Sequence, residues 1–244
     1  MIKVSLTKNL AGATILGDYN DLDEIVNSLY TITIDEYGAK KNTKYIDMST
    51  RVLGLAYDIR HALQGDRKIE LIDNGMSKEI MKYHSTITSD KNVYYSCNYI
   101  FTEMVYCMIA LNELIAIKTR GKKAVFNRAI NVLRMLQTAF VECVAKVMTK
   151  TGYEKWIISM TRSDAKIFNM AHQYMDIVNI DYLYDLKDSR RQHINMYTKS
   201  IVDYQYDEDY IELKNDLIQY AKDNNCDINK LQFTEHEYPE EIEW

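Results

Sequence analysis

Apolar positions alternate with polar ones near the start of the chain and follow a helical period later on. Ile2, Val4 and Leu6 alternate with polar residues, as in a strand with one buried face. Asn9 to Gly12 supplies turn residues, and Ala13 to Leu16 is a second short strand that closes a hairpin. Asp18 to Asp21 offers N-cap chemistry for a helix over about 21–31, and Lys40 to Lys44 reads as a polar loop. The clearest element is a helix over about 46–64, with Val52, Leu55, Ala56, Ile59, Ala62 and Leu63 on one face. Gly65 is placed to end it in left-handed backbone. Arg67 to Ile72 alternates as a strand, and Asn74-Gly75 marks a turn. Ser77 caps a short helix reaching Tyr83, and Asn92 to Ser96 is again strand-like.

From about 98 the period becomes helical. Ile100, Phe101, Met104, Met108, Leu111, Leu114 and Ile115 make a broad apolar face over 98–118. Val125, Phe126, Ala129, Leu133, Leu136, Phe140, Val144 and Val147 make another over 124–149. Faces this wide belong to central helices. Gly121 and Gly152 punctuate these stretches, and further helices are expected over about 153–161, 164–177, 187–203 and 207–224. Phe233 to Trp244 is irregular, with Tyr238, Pro239, Ile242 and Trp244 able to dock back on the body. The pattern predicts an α+β, helix-dominant fold, in which a hairpin plus one or two further strands packs on a helical bundle. The β-containing part covers about 1–96, the bundle about 97–225 and the irregular segment 226–244. With one proline and eight glycines, no linker divides the chain, so 1–244 is expected to form a single domain.

Composition narrows the function classes. Hydrophobic residues make up 47 % and charged residues 27 %, the balance of a globular protein. A net charge of −5 lacks the basic signature of a nucleic-acid binder, so no direct nucleic-acid binding is expected. Cys97, Cys107, Cys143 and Cys226 form no C-x-x-C pair and have no His at ligand spacing. They fit reduced thiols in a cytosol, and no metal or cofactor is expected. The start of the chain has no apolar segment of the signal-peptide kind. The longest apolar run, Val105 to Leu111, is about seven residues, against ~20 for a membrane span. The expectation is therefore a cytoplasmic protein with no membrane contact. Tyr is abundant (20) and Phe scarce (5), which suits either codon bias or a Tyr-rich recognition surface.

The segment with most chemical content runs from Tyr57 to Arg67. On a helix His61 lies opposite the apolar face, beside Asp58, Tyr57 and Gly54. Arg60 sits on the flank and Arg67 follows the turn. A carboxylate beside an imidazole tunes it, and two arginines clamp a phosphate or carboxylate. The plainer account is a set of surface ion pairs among Asp58, His61, Arg60 and Arg67. A second candidate is Glu103, which shares one side of its helix with Tyr99, Tyr106 and Glu113. A carboxyl on so apolar a helix has a raised pKa if it acts as acid or base, and is otherwise a satisfied core carboxylate or part of a solvent-facing stripe. Familiar phosphate-loop, dinucleotide, nucleophile-elbow and zincin motifs do not occur.

Five phrases occur in order: Asn9 to Tyr19, Tyr57 to Ala62 with Gly65-Asp66-Arg67, Asn74-Gly75-Met76, Val93 to Ser96, and Tyr238 to Trp244. Together they resemble a family of bacterial proteins catalogued as a domain of unknown function. The resemblance spans nearly the whole chain and implies a one-domain bacterial or phage cytosolic protein, with no activity attached. The leading expectation is a non-enzymatic interaction or regulatory protein, with a protein partner or self-association. Its alternatives are an enzyme or sensor holding a small phosphorylated or anionic ligand through Arg60, His61 and Arg67, and an acidic mimic that blocks a nucleic-acid-binding protein. The acidic mimic would use the acidic residues of 203–216 and 235–243.

Overall fold

Alternation at the start of the chain builds the hairpin β1 (Lys3–Leu6) and β2 (Gly12–Gly17), paired antiparallel with Val4 opposite Ile15. The computed structural model describes residues 1–34, 45–119, 126–161, 171–228, 231 and 237–244, so the expected Lys40–Lys44 loop lies outside the described residues. β3 (Lys68–Asp73) and β4 (Lys91–Ile100) complete a four-stranded antiparallel sheet of order β1-β2-β4-β3. Between them α3 (Lys78–Tyr83) is capped by the Ser77 hydroxyl, which accepts from the Ile80 N–H.

α1 (Tyr19–Ile32) begins with a reciprocal capping box between Asp18 and Asp21. α2 (Ile46–Leu63) buries Val52, Leu55, Ala56, Ile59 and Ala62, and Gly65 follows its end at φ +87°, in the left-handed region a side chain resists. α4 (Phe101–Thr119) is buried almost all round and touches α2, the sheet, α6, α7 and α8. α5 (Arg128–Val144) lies against α1 and β1. α6 (Lys150–Thr161), α7 (Ala171–Tyr184), α8 (Lys187–Val202), a 3-10 turn at Tyr204–Tyr206 and α9 (Glu208–Asp223) follow. One continuous hydrophobic core joins the sheet, α1, α2 and the later helices. The structure is therefore α+β and helix-dominant, as the pattern predicts.

Several boundaries differ; α7, for one, runs to Tyr184 where the helix was expected to end at about 177. The helix expected from 98 starts at Phe101, because pairing with β2 holds the chain extended to Ile100 and the Phe101 N–H then donates to Ala11 O at 3.1 Å. The helix expected to reach 149 stops at Val144. Gly152 lies inside α6 rather than between helices, where a Cβ would overlap the Asn195 side chain. Gly121 and residues 164–170 of an expected helix lie outside the described residues.

Candidate functional site

The site arises from a mismatch in strand length. β3 begins at Lys68, opposite Ser96, while β4 runs on to Ile100. Cys97 to Ile100 therefore have β2 on one side and, among the described residues, no strand on the other. A cavity of about 910 Å³ opens along this edge. Its lining includes all five residues from Ser96 to Ile100, with Thr50, Arg51, Gly54 and Asp58 of α2 beside them. Arg67 and Lys68 stand where β3 begins, and Leu6, Thr7 and Lys8 come from the hairpin. Glu103, Asn179, Tyr238, Ile242 and Trp244 complete the wall. The C-terminal segment thus docks as expected. Trp244 lies so close to Gly12 that a Cβ there would come within 2.6 Å of its ring and overlap the Tyr99 carbonyl oxygen.

A buried polar cluster anchors one end. Arg51 Nη1 donates to Glu103 Oε2 at 2.7 Å, and Nη2 pairs with Asp176 Oδ2 at 2.8 Å and donates to the His172 carbonyl. Asn179 Nδ2 donates to the same Glu103 oxygen and to the Tyr238 hydroxyl, which donates to Asp176 at 2.8 Å. Thr102 Oγ1 donates to Asn179 Oδ1 at 2.6 Å, fixing which way that amide faces. Burial pushes the Glu103 carboxyl up, against Arg51 and Asn179, which favour its charge. Burial draws the Arg51 guanidinium down, but Glu103 and Asp176 more than reverse this. A carboxylate and a guanidinium removed from water persist only when paired and hydrogen-bonded, as these are.

At the other end Arg67 Nη2 donates to Asp58 Oδ1 at 2.8 Å, and Lys68 pairs with Glu70 at 3.0 Å. Burial pushes the Cys97 thiol up to about 12 and raises Tyr99 as well. Neither is a nucleophile near neutral pH.

The cavity gathers three of the six residues singled out from the sequence: Asp58, Arg67 and Glu103. Tyr57, Arg60 and His61 stand outside its lining, so Arg60, His61 and Arg67 do not converge on it. The reason is helical phase: Gly54 and Asp58 turn toward β4, while Tyr57 and Arg60 lie exposed. There the Arg60 guanidinium lies 5.4 Å from the Tyr57 ring centre and donates to Tyr30 Oη at 3.4 Å, and His61 pairs with Asp66 at 3.0 Å. These contacts differ from the expected Asp58–His61 pair: His61 takes Asp66, Asp58 takes Arg67, and Arg60 meets tyrosines rather than a carboxylate. Glu103 is a core carboxylate with partners, and its expected neighbour Tyr99 sits on β4 rather than on the helix. Of the expected acidic face, Asp207 caps α9 by accepting from the Asp209 N–H, and Glu235 lies outside the described residues.

Arg51, Asn98, Asp176, Asn179 and Tyr238 were not singled out. Arg51 carries a readable signal: it lies seven residues before Asp58 and three before Gly54, on the same stripe of α2. Asn179 and Asp176 reach the site only through the packing of α7 on α4, which no local pattern encodes. Among the described residues, no group of three or more His, Cys, Asp or Glu could hold a metal ion, and no helix is long and apolar enough to cross a membrane.

Comparison with curated proteins and with solved structures finds no match. A family described as a domain of unknown function (DUF6904) matches residues 2–244, and the chain belongs to that family.

Proposed function

We propose that the protein is a non-enzymatic recognition or regulatory protein whose binding site is the cavity beside β4, acting in a bacterial or phage cytoplasm. One observation carries this reading: the cavity is large and sets charged and hydrogen-bonding side chains among apolar ones, yet its reactive groups are held by neighbours. Its volume of about 910 Å³ falls within the ~300–1,000 Å³ of ligand-enclosing sites. Asp58 is tied to Arg67, Glu103 to Arg51 and Asn179, and the Cys97 thiol is pushed up to about 12. Such groups position a partner by hydrogen bonds and paired charges. They are poorly placed to move a proton or attack a carbon.

Thermal-shift and native mass spectrometry against amino acids, short peptides, nucleotides and sugar phosphates test the proposal. A binder at a hundred times its Kd adds about 2.7 kcal/mol of stability. The expected result is a saturable shift from at least one class, with the bound compound recovered unchanged. Recovery of a converted compound would place the protein among enzymes. A second reading rests on Lys8, Arg67 and Lys68, which with Arg51 are the cations of the lining. It takes the ligand to be a small anion, and the same screen decides it, with nucleotides and sugar phosphates then binding and neutral peptides failing.

A further inference from the structure

The exposed edge of β4 specifies what the cavity recognises. Successive residues of a strand direct their backbone groups to opposite sides. The Phe101 N–H donates to Ala11 O at 3.1 Å, on the β2 side. By alternation Cys97 and Tyr99 also face β2, where they stand opposite Ile15 and Ala13. Asn98 and Ile100 face the other way. The far end agrees: the Asn74 N–H donates to Asp90 O at 3.0 Å, on the β3 side, and Ser96 stands opposite Lys68. Beyond Ser96 that side has no strand among the described residues, so the Asn98 N–H and C=O point toward the cavity that Asn98 lines.

Side-chain placement fits. Asn98 and Thr14 are opposite one another, and Thr14 Oγ1 donates to Asn98 Oδ1 at 2.7 Å. This fixes Asn98 and leaves its side-chain NH₂ as a further donor. Gly54 on α2 leaves room, since a Cβ there would sit 3.3 Å from the Tyr99 hydroxyl oxygen. Trp244 lines the same cavity, close to Gly12 on β2.

We infer that the cavity receives an extended peptide segment of a partner protein, which adds to the sheet as a short strand in line with β3 and antiparallel to β4. The inference rests on the recognition reading above and narrows it to one partner chemistry. Backbone N–H and C=O groups are obligatory hydrogen-bonding groups, and a peptide backbone offers both at the spacing of another strand. Cys97 to Ile100 present four residues, about 13 Å of strand at ~3.3 Å per residue. The Arg67–Asp58 pair at one end and the Arg51–Glu103 cluster at the other frame that length with groups of both signs. Both can hydrogen-bond the polar side chains or flanking amides of an incoming segment.

Backbone amide exchange of the full-length protein, followed by NMR, is the first test. In the free protein the Asn98 amide exchanges at least about tenfold faster than those of Cys97 and Tyr99. Equal protection of all three would overturn the edge assignment. The second test screens acetylated, amidated tetrapeptides, read by the shift of the Asn98 resonance and by Trp244 fluorescence. Members of the set bind and protect the Asn98 amide, and N-methylation of the pairing peptide amide weakens binding roughly tenfold, the cost of about one net hydrogen bond. If nucleotides or sugar phosphates bind and no peptide does, the peptide inference fails while the recognition reading stands. If no class binds, both fail.

Discussion

Two side chains on facing helices decide the character of the site. Arg51 and Glu103 retain only 15 % and 9 % side-chain exposure, so neither is rehydrated when the other is lost. Arg51→Met therefore leaves the Glu103 charge buried against Asn179 alone and costs about 3–5 kcal/mol in urea unfolding. Adding Glu103→Gln to that variant returns part of the loss, because the remaining side chain carries no charge, and the two effects are non-additive. A loss in the double variant equal to the sum of the losses of Arg51→Met and Glu103→Gln alone would show the pair to be uncoupled. His172 gives a pH signature to the same cluster. Burial lowers its pKa, helped by Arg51 and opposed by Asp47 and Asp176. The unfolded chain takes up a proton near pH 6.5 while the folded protein does not. This contribution to stability is complete above that value and is lost as pH falls toward the depressed folded value. Tm measured from pH 7.5 downward falls more steeply in the wild type than in His172→Asn.

Among the elements, the corner between α7 and α8 holds the hairpin in place. Arg190 is buried, and its guanidinium donates to Tyr182 O at 3.0 Å, Leu183 O at 2.6 Å and Asn9 O at 2.9 Å. The first two are carbonyls at the end of α7, and the third belongs to the β1–β2 turn. The turn is also held by the Tyr182 hydroxyl, which donates to Leu10 O. Arg190→Met leaves three carbonyls short of a donor and costs about 2–5 kcal/mol. The loss includes faster amide exchange in the β1–β2 hairpin, far away in sequence; a loss confined to α7 and α8 would show the tie to be dispensable. Nothing local in the sequence announces this role, since Arg190 sits in a polar helix beside Arg191. By contrast α2 was readable to within a residue, because its apolar stripe and Gly65 are local signals. The junction of β4 and α4 was not, because strand register with β2 overrides an apolar period that already reads as helix at 98. The candidate site divides the same way. Asp58, Arg67 and Glu103 stand out as charges set against apolar helices and strands, whereas the free edge of β4 exists only once β3 is placed beside it.

At the scale of the molecule, the sheet extends past its helical cover. β3 has β4 as its main packing neighbour, and α3 buries none of its residues. On one face of this arm Ile69 stands opposite Tyr95 and Leu71 opposite Val93, with Leu71 65 % exposed and Tyr19 packed edge-on against Tyr95. An apolar row on an uncovered edge strand is a surface that sheet proteins otherwise blunt with charge or cover. Ile69, Leu71 and Val93 lie outside the core, so folding does not require them, and the expected protein partner or self-association gives them a use. Leu71→Lys separates these effects. At an exposed position it alters unfolding free energy by no more than about 0.5 kcal/mol. Light scattering after size exclusion should show the wild-type mass rising with concentration while the variant stays at the 28.6 kDa of one chain. If both remain at that mass over the same range, the arm does not mediate self-association. A variant that instead unfolds more easily would show the arm to belong to the core.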